Sequence, residues 1–358
     1  MSVHFHRLKI GEIRKETPDC VSIQLLVPEE LKESFQYKAG QYLTLRTTIH
    51  GEDLRRSYSI CSSPLEEELR VAIKKVEGGV FSTYANNELK SGDTLEVMPP
   101  AGKFNSLLKA DQKKQYLAIA AGSGITPVLS LIKTTLATEP ASEFTLIYGN
   151  KNRGSIIFFE TLESLKNLYM ERFRIIHVLS REKTDSTLNV GRINAEKLAS
   201  MHKLIQFDQL DEAFLCGPQG MIESAAEFLQ EQGLDKKKIH LELFTSATKK
   251  SNAKKSTTDS ATSAKSQVGI RVDGRQLEIE MSLQEDQTIL DAALQQGADL
   301  PFACKGGMCC TCKAKLVEGE VIMDVHWGLE EEEVEQGFIL TCQSHPKTAR
   351  IVVDFDIK

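Results

Sequence analysis

Cys304, Cys309 and Cys312 follow one another at the spacing C-x4-C-x2-C, and 29 residues separate the last of them from Cys342. Two irons need four thiolates, and a tight loop that presents three while a strand from elsewhere supplies the fourth is the spacing of a plant-type 2Fe-2S cluster. Gly306 and Gly307 let the loop fold closely round such a group and aim amides at its sulfurs. Structural zinc is the competing reading, but it favours paired C-x2-C or Cys-His knuckles, and the sequence has no second pair. A Rieske centre needs two histidine ligands, and the loop contains none. Cys310 is expected to project away from the others and pack as a small hydrophobe.

The 358 residues exceed what one ordinary core organises, so several domains are expected. Residues 245–267 read TSATKKSNAKKSTTDSATSAKSQ, polar and without an aromatic. Such a run cannot bury enough apolar surface to offset its ordering entropy, so it reads as a disordered linker whose ends lie on the order of 25 Å apart. Beyond it, residues 268–358 hold 17 acidic and 8 basic side chains, more than the whole net charge of −6. A net negative chain is a poor general nucleic-acid binder. No apolar run approaches the roughly 18 residues of a membrane span. The N-terminus lacks an apolar signal segment, so the cytoplasm is the expected compartment and its thiols should be reduced.

Residues 1–108 are rich in short β-type runs (SIQLLV, QYLTLRTTI, RRSYSI, LRVAIKKV, TLEVMPP) spaced by glycine, proline and charged turns. That rhythm predicts an antiparallel barrel. Residues 109–244 alternate apolar strands (QYLAIAAG, FTLIYG, FRIIHVLS, AFLCG) with helical stretches, which predicts a parallel sheet. Past the linker, VGIRVDGRQLEIEM reads as a hairpin turning at Asp273-Gly274. A helix at TILDAALQQ, the cysteine loop, an acidic helix at LEEEEVEQ and the strands FILTC and RIVVDFDI complete the expected elements. The run Glu330 to Glu333 reads first as a solvated helix face.

Three motifs carry chemistry. RRSYSICSSP sets Arg56, Ser57, Tyr58 and Ser59 at a strand end, where a guanidinium could pair with a pyrophosphate, an aromatic stack on a flavin and a hydroxyl reach its reacting nitrogen. GGVFSTYANN offers Gly79 to Ser82 at a helix start, whose free amides suit phosphate. LAIAAGSGITPVLSLI is a strand that runs through Gly122 and Gly124 into a helix opened by Thr126 and Pro127, a turn that a diphosphate can approach. VLSRE sets Ser180 and Arg181 at a later strand end, where they suit a ribose 2′-phosphate better than a bare diol. LCGPQGM sets Cys216, Gly217 and Pro218 at another; a buried strand cysteine is the plain alternative for Cys216.

These motifs, in this order, resemble the ferredoxin-NADP reductase superfamily, in particular members with a plant-type ferredoxin at the C-terminus. The resemblance covers nearly the whole chain apart from the linker. It implies a multidomain fold: an antiparallel β-barrel for FAD (1–108), an α/β parallel-sheet nucleotide domain (109–244), the linker (245–267) and a β-grasp ferredoxin domain (268–358). It places Arg56, Ser57, Tyr58 and Ser59 on the flavin and Gly79, Val80, Phe81 and Ser82 on the FAD phosphates. Gly122, Gly124, Thr126 and Pro127 would hold the nicotinamide dinucleotide together with Ser180, Arg181, Cys216, Gly217 and Pro218. The cofactor implied is NADPH ahead of NADH. Phe244, in HLELF beside Glu242, would shield the flavin unless it is simply a packing residue. Catalytic roles would fall to Tyr58, Ser59 and Cys216, and cluster ligation to Cys304, Cys309, Cys312 and Cys342.

Within the superfamily, CKGGMCCTCKAKLVEGEVIMD and LEEEEVEQGFILTCQSHP are most similar to the reductases of phenylacetyl-CoA ring epoxidases. The implied partner is therefore an oxygenase component, a multisubunit di-iron epoxidase, with steroid, alkane and fatty-acid oxygenases as alternatives. The segment DVHWGL, with Trp327, has no counterpart in the resemblance. A passive iron-sulfur carrier or redox sensor, and a stand-alone reductase of small acceptors, are the rival functions.

Overall fold

The computed structural model describes residues 4–244, 265–283 and 286–357. They fall into two compact units, one from Phe5 through the nucleotide region and one comprising the C-terminal part.

The first unit opens with β1 (His6–Thr17), β2 (Cys20–Leu26), β3 (Tyr42–Ile49), β4 (Glu52–Ser59), β5 (Leu69–Lys74), the helix α1 (Val80–Asn87) and β6 (Thr94–Val97). The strands form one antiparallel sheet in the order β4-β3-β6-β1-β2-β5. A bridge between Ile60 and Val71 joins its two ends and closes the barrel. Alternate residues such as Leu43 and Leu45, or Val71 and Ile73, point inward and are fully buried. Each such side chain contributes about 1.5–3 kcal/mol of transfer free energy. The sequence runs anticipated every strand here except β1. Its pairing with β2 shifts register between Ile10 and Ile13, so its apolar alternation breaks phase halfway along.

The unit continues with β7 (Gln115–Ala121), α2 (Ile125–Thr138), β8 (Glu143–Asn150), α3 (Phe159–Leu168), β9 (Phe173–Leu179), α4 (Ala195–Ala199), β10 (Glu212–Gly217), α5 (Gln219–Glu231) and β11 (Ile239–Leu243). The five strands are all parallel, in the order β11-β10-β7-β8-β9. The chain's direction of winding reverses between β7 and β10, which opens a crevice at their carboxyl ends. Helix α2 starts at Ile125, one residue before the expected Thr126. It is buried around nearly its whole circumference because it packs on the sheet with one side and on the barrel with the other. Ser130 Oγ donates to Ser62 O at 2.6 Å, Ser63 and Thr134 share a hydroxyl bond of 2.8 Å, and Lys133 pairs with Glu66 at 2.9 Å. The expected division at residue 108 thus runs through the interior of one packed unit.

The second unit contains β12 (Lys265–Val272), β13 (Arg275–Ser282), α6 (Ile289–Gln295), β14 (Lys313–Glu318), β15 (Val321–Met323), α7 (Glu331–Glu335), β16 (Phe338–Leu340), β17 (Ser344–Pro346) and β18 (Arg350–Asp354). Its main sheet has the order β13-β12-β18-β14-β16, with β12 and β18 parallel and the other pairs antiparallel, and α6 packs into the same core, the expected β-grasp arrangement. Asp273 and Gly274 both take positive φ, as the hairpin requires. One boundary needs correction. Lys265, Ser266 and Gln267 belong to β12 rather than to the linker: each pairs with β13, and Ser266 is fully buried with its hydroxyl on Thr348 O at 2.8 Å. Pairing across the sheet overrides their polar composition; the rest of the expected linker lies outside the described residues. The acidic run is solvated as expected at Glu330, Glu331 and Glu332 and differs only at Glu333. Glu333 is buried and bonds Lys313 at 3.0 Å, while Glu330 and Glu333 cap α7 reciprocally. Among the described residues no helix is long and apolar enough to cross a membrane.

Candidate active site

Strand β4 ends at Ser59, which is buried, while Tyr58 beside it is half-buried and Arg56 is exposed. The Tyr58 ring lies 5.6 Å from Phe81 at 37°, and burial pushes its phenol above the ordinary range. Arg56 donates to the carbonyl of its neighbour Arg55 at 2.7 Å, and Ser57 meets Thr44 at 3.3 Å. At the start of α1, a Cβ on Gly79 would lie 2.6 Å from Ser82 Oγ and 3.1 Å from Val76 O, so a side chain there would crowd the turn. The Ser82 hydroxyl is occupied: it accepts from Val76 N at 3.1 Å and donates to Gly79 O at 3.3 Å. What this corner can offer an anion is therefore the backbone amides that every helix start leaves without intrahelical partners. Val80 is exposed there, and Phe81 is buried beneath it.

Ser59 Oγ donates to Glu242 Oε1 at 3.0 Å across 183 residues of sequence. The other carboxyl oxygen, Oε2, is withdrawn from solvent and has no hydrogen-bond partner among the described residues, although Glu242 as a whole is only partly buried. Burial lifts the Glu242 carboxyl to about 7, against the lowering effect of the Ser59 bond. Glu242 on β11 stands in register with Cys216 on β10. Burial, and then the Glu242 charge, hold the Cys216 thiol well above its usual range, so it stays neutral.

The crevice between β7 and β10 is lined by the two glycine turns. A Cβ on Gly124 would lie 2.2 Å from Cys216 O, so this close approach exists only because Gly124 has no side chain. Gly122 takes a positive φ of 55°, and Tyr148 donates its hydroxyl to Gly122 O at 2.8 Å. Thr126 is buried with its hydroxyl on Ser123 O at 3.0 Å, and Pro127 sits in the first helical turn, where its missing N–H costs nothing. Pro218 caps α5, and Phe244 N donates to Gly217 O at 3.0 Å. The Phe244 ring packs on the core shared by barrel and sheet, yet remains partly exposed. Ser180 and Arg181 are exposed past the end of β9, their amides bonded to Asn150 O and Lys151 O at 2.9 and 2.8 Å. They stand two strands from the Gly122 turn, along the same carboxyl edge of the sheet.

In the second unit the four cysteines expected as ligands stand as two pairs. Cys304 and Cys309 are hydrogen-bonded through their thiols, and so are Cys312 and Cys342. The Cys304 bond pulls the Cys309 thiol down to about 6, and the Cys312 bond lowers that of Cys342. Backbone amides already point at sulfur: Cys304 N at 3.4 Å from Cys309 Sγ, and Gly306 N at 3.3 Å from Cys304 Sγ. Gln343 adds its amide to Cys342 Sγ at 3.7 Å and reaches Lys305 O at 3.0 Å. Among the described residues no three metal-ligating side chains converge on a single ion's position, whereas two thiol pairs suit a two-iron group with two ligands per iron. Gly307 has a φ of 73°, and a Cβ there would lie 2.6 Å from Val325 Cγ2. Cys310 turns away from both pairs, donates to Gly328 O and packs on the unit's core while partly exposed.

Sequence reasoning named Glu242 but could not join it to Ser59, and it missed Tyr148 and Gln343. Their roles depend on contacts between distant strands that carry no local signal.

Residues 7–106 match the oxidoreductase FAD-binding domain, residues 118–227 the oxidoreductase NAD-binding domain and residues 270–347 the 2Fe-2S iron-sulfur cluster binding domain. The chain is 47% identical over 355 residues to a subunit of the 1,2-phenylacetyl-CoA epoxidase of Escherichia coli (strain K12), covering 99% of this chain and 98% of that protein. It is 32% identical to the ferredoxin reductase component of 3-ketosteroid-9-alpha-monooxygenase of Rhodococcus rhodochrous, covering 97% and 96%. The solved structure of phthalate dioxygenase reductase shares the fold, with a TM-score of 0.60 at 24% identity over 98% of both chains.

Proposed function

Since the chain belongs to the family of oxygenase reductases that join an FAD-binding, an NAD-binding and a 2Fe-2S domain, we propose that it oxidises NADPH and delivers electrons to a multisubunit di-iron oxygenase that epoxidises the ring of phenylacetyl-CoA. The observation that carries the redox reading is the meeting of Ser59, Glu242 and Cys216 at the crevice whose floor is the Gly124 turn. The acceptor rests on the 47% identity to the epoxidase component along the whole chain. When bound, FAD accepts the hydride of a nicotinamide and passes its electrons singly to the 2Fe-2S cluster, a conversion no side chain can perform.

The residues supply placement. Tyr58 would give the flavin ring an aromatic face, and Phe244 would shield the ring. Arg56 and the amides at Gly79 to Ser82 take the FAD diphosphate. Ser59, whose one hydroxyl hydrogen goes to Glu242 in this structure, would turn it to the flavin's reacting nitrogen once the ring is bound. Gly122, Gly124, Thr126 and Pro127 admit the dinucleotide diphosphate to the start of α2, and Cys216, Gly217 and Pro218 set the depth of the nicotinamide. A neutral Cys216 thiol suits that task, because a thiolate there would be a nucleophile beside an electrophilic ring. Ser180 and Arg181 select NADPH through the 2′-phosphate. Cys304, Cys309, Cys312 and Cys342 hold the cluster, and the cytoplasm is the compartment we assign.

The deciding experiment mixes the purified holoprotein with the purified epoxidase oxygenase and follows NADPH oxidation. Oxidation that depends on phenylacetyl-CoA supports the reading; turnover with a 3-ketosteroid oxygenase instead would reassign the acceptor. For the donor, Arg181→Ala should raise the KM for NADPH roughly tenfold while leaving that for NADH nearly unchanged, and equal losses would refute the 2′-phosphate role.

A further inference from the structure

The chain's one tryptophan, Trp327, is 50% exposed. Its backbone, by contrast, is fastened to the cysteine loop. Gly328 N donates to Gly307 O at 2.9 Å, and Gly328 O accepts from the Cys310 thiol. A Cβ on Gly328 would lie 2.9 Å from both Cys310 Sγ and Met308 O, so the two segments touch at backbone distance. On the other flank, Asp324 N donates to Gln343 O at 3.0 Å and its carboxylate meets His345 Nε2 at 3.1 Å, while Leu329 is buried. Residues 324–329 are thus held between the neighbours of Cys309 and the neighbours of Cys342. The indole is presented at the rim of the cysteine loop on a fixed mount.

The segment that carries it is acidic. Residues 320–336 contain seven carboxylates and no lysine or arginine. Glu333 is absorbed by Lys313, but Glu320, Asp324, Glu330 and Glu335 are exposed, as is Ile322 at 51%. An exposed aromatic on a fastened backbone, in an acidic segment that also carries the exposed Ile322, has the make-up of an interface anchor. The carboxylates specify a basic partner surface and would steer its approach.

We propose that Trp327 is the anchor on which the oxygenase component seats, through an apolar socket framed by lysine or arginine, so that electrons leave beside the cysteine loop. The inference rests on the oxygenase reading given above and assigns the surface that reading requires.

The test uses the holoprotein and the purified phenylacetyl-CoA oxygenase. Trp327→Ala should raise the KM for the oxygenase roughly 30-fold, with Trp327→Phe recovering most of the loss. The rate at which NADPH reduces the cluster should stay unchanged in both variants. In fluorotryptophan-labelled holoprotein, the single fluorine resonance should shift on adding oxygenase. An unchanged KM and a stationary resonance while the wild type turns over would overturn the inference alone. Slower cluster reduction in Trp327→Ala would give the indole to internal electron passage and likewise overturn it. A wild type that delivers no electrons to this oxygenase would bring down the acceptor reading, and the proposed partner of Trp327 with it.

Discussion

Cys216 and two of the C-terminal cysteines, Cys309 and Cys342, carry the same thiol pushed in opposite directions, while their pair partners Cys304 and Cys312 are held up as Cys216 is. Cys216 is buried at a strand end beside a carboxylate, and both influences hold its proton on. Cys309 and Cys342 each receive a hydrogen bond from a neighbouring thiol, with backbone or side-chain amides turned toward the sulfurs, and both are drawn toward the thiolate. The difference lies in the donors around each sulfur and not in depth, since Cys309, Cys312 and Cys342 are buried as well. Within each C-terminal pair one thiol is held up and its partner is drawn down by the bond between them, whereas Cys216 meets only burial and a carboxylate.

The largest effect should come from breaking a ligand pair. Cys342→Ser should abolish cluster absorption and iron content and slow cluster-dependent electron delivery by more than about 100-fold, while flavin absorption persists; full iron content would dissolve the distinction. Next, Ser59→Ala should slow flavin reduction by NADPH in stopped flow by roughly tenfold or more, without altering the cluster spectrum. Unchanged rates would demote the Ser59–Glu242 pair to packing.

A third test uses pH. Burial raises the Glu242 carboxyl from 4.5 to about 7, so the folded protein binds that proton more tightly than the unfolded chain does. Stability from this group is therefore fully present below the lower value, declines as pH rises between the two, and stays lost above the higher one. Glu242→Gln should remove that slope, gaining on the order of 1–3 kcal/mol relative to wild type at pH above 7 and little at acid pH. Parallel denaturation profiles for the two proteins would show that the carboxyl is better solvated than its surroundings suggest. The smallest effect belongs to Cys310→Ser, which should leave iron content intact and cost about 1 kcal/mol or less. Loss of iron would make Cys310 a ligand and erase the contrast between bystander and pair.

Much of this was readable in linear order because the decisive signals are local. The cysteine spacing, the Gly122–Gly124 turn and the Asp273–Gly274 hairpin each put their chemistry inside a dozen residues. The alternation of strands and helices likewise exposed the parallel sheet. What escaped is what folding brings together. Glu242 reaches Ser59 only because β11 lies beside β10, and Gln343 serves the cysteine loop only because its strand returns there. Strand β1 escaped for another reason, a register shift that disguises its period. The three residues at the head of β12 were hidden by composition, since strand propensity yields to pairing and burial once a partner strand is present.

The two-faced burial of α2 has a consequence for inheritance. With apolar residues against both sheet and barrel, the helix makes each half of the first unit complete the other's interior. A nucleotide half made alone would display the bare flank of α2 as an adhesive apolar strip, and the barrel would lose its lid. Gene rearrangement can therefore append or exchange the cluster-bearing unit as a cassette, but barrel and sheet must be passed on together, as a single evolutionary module.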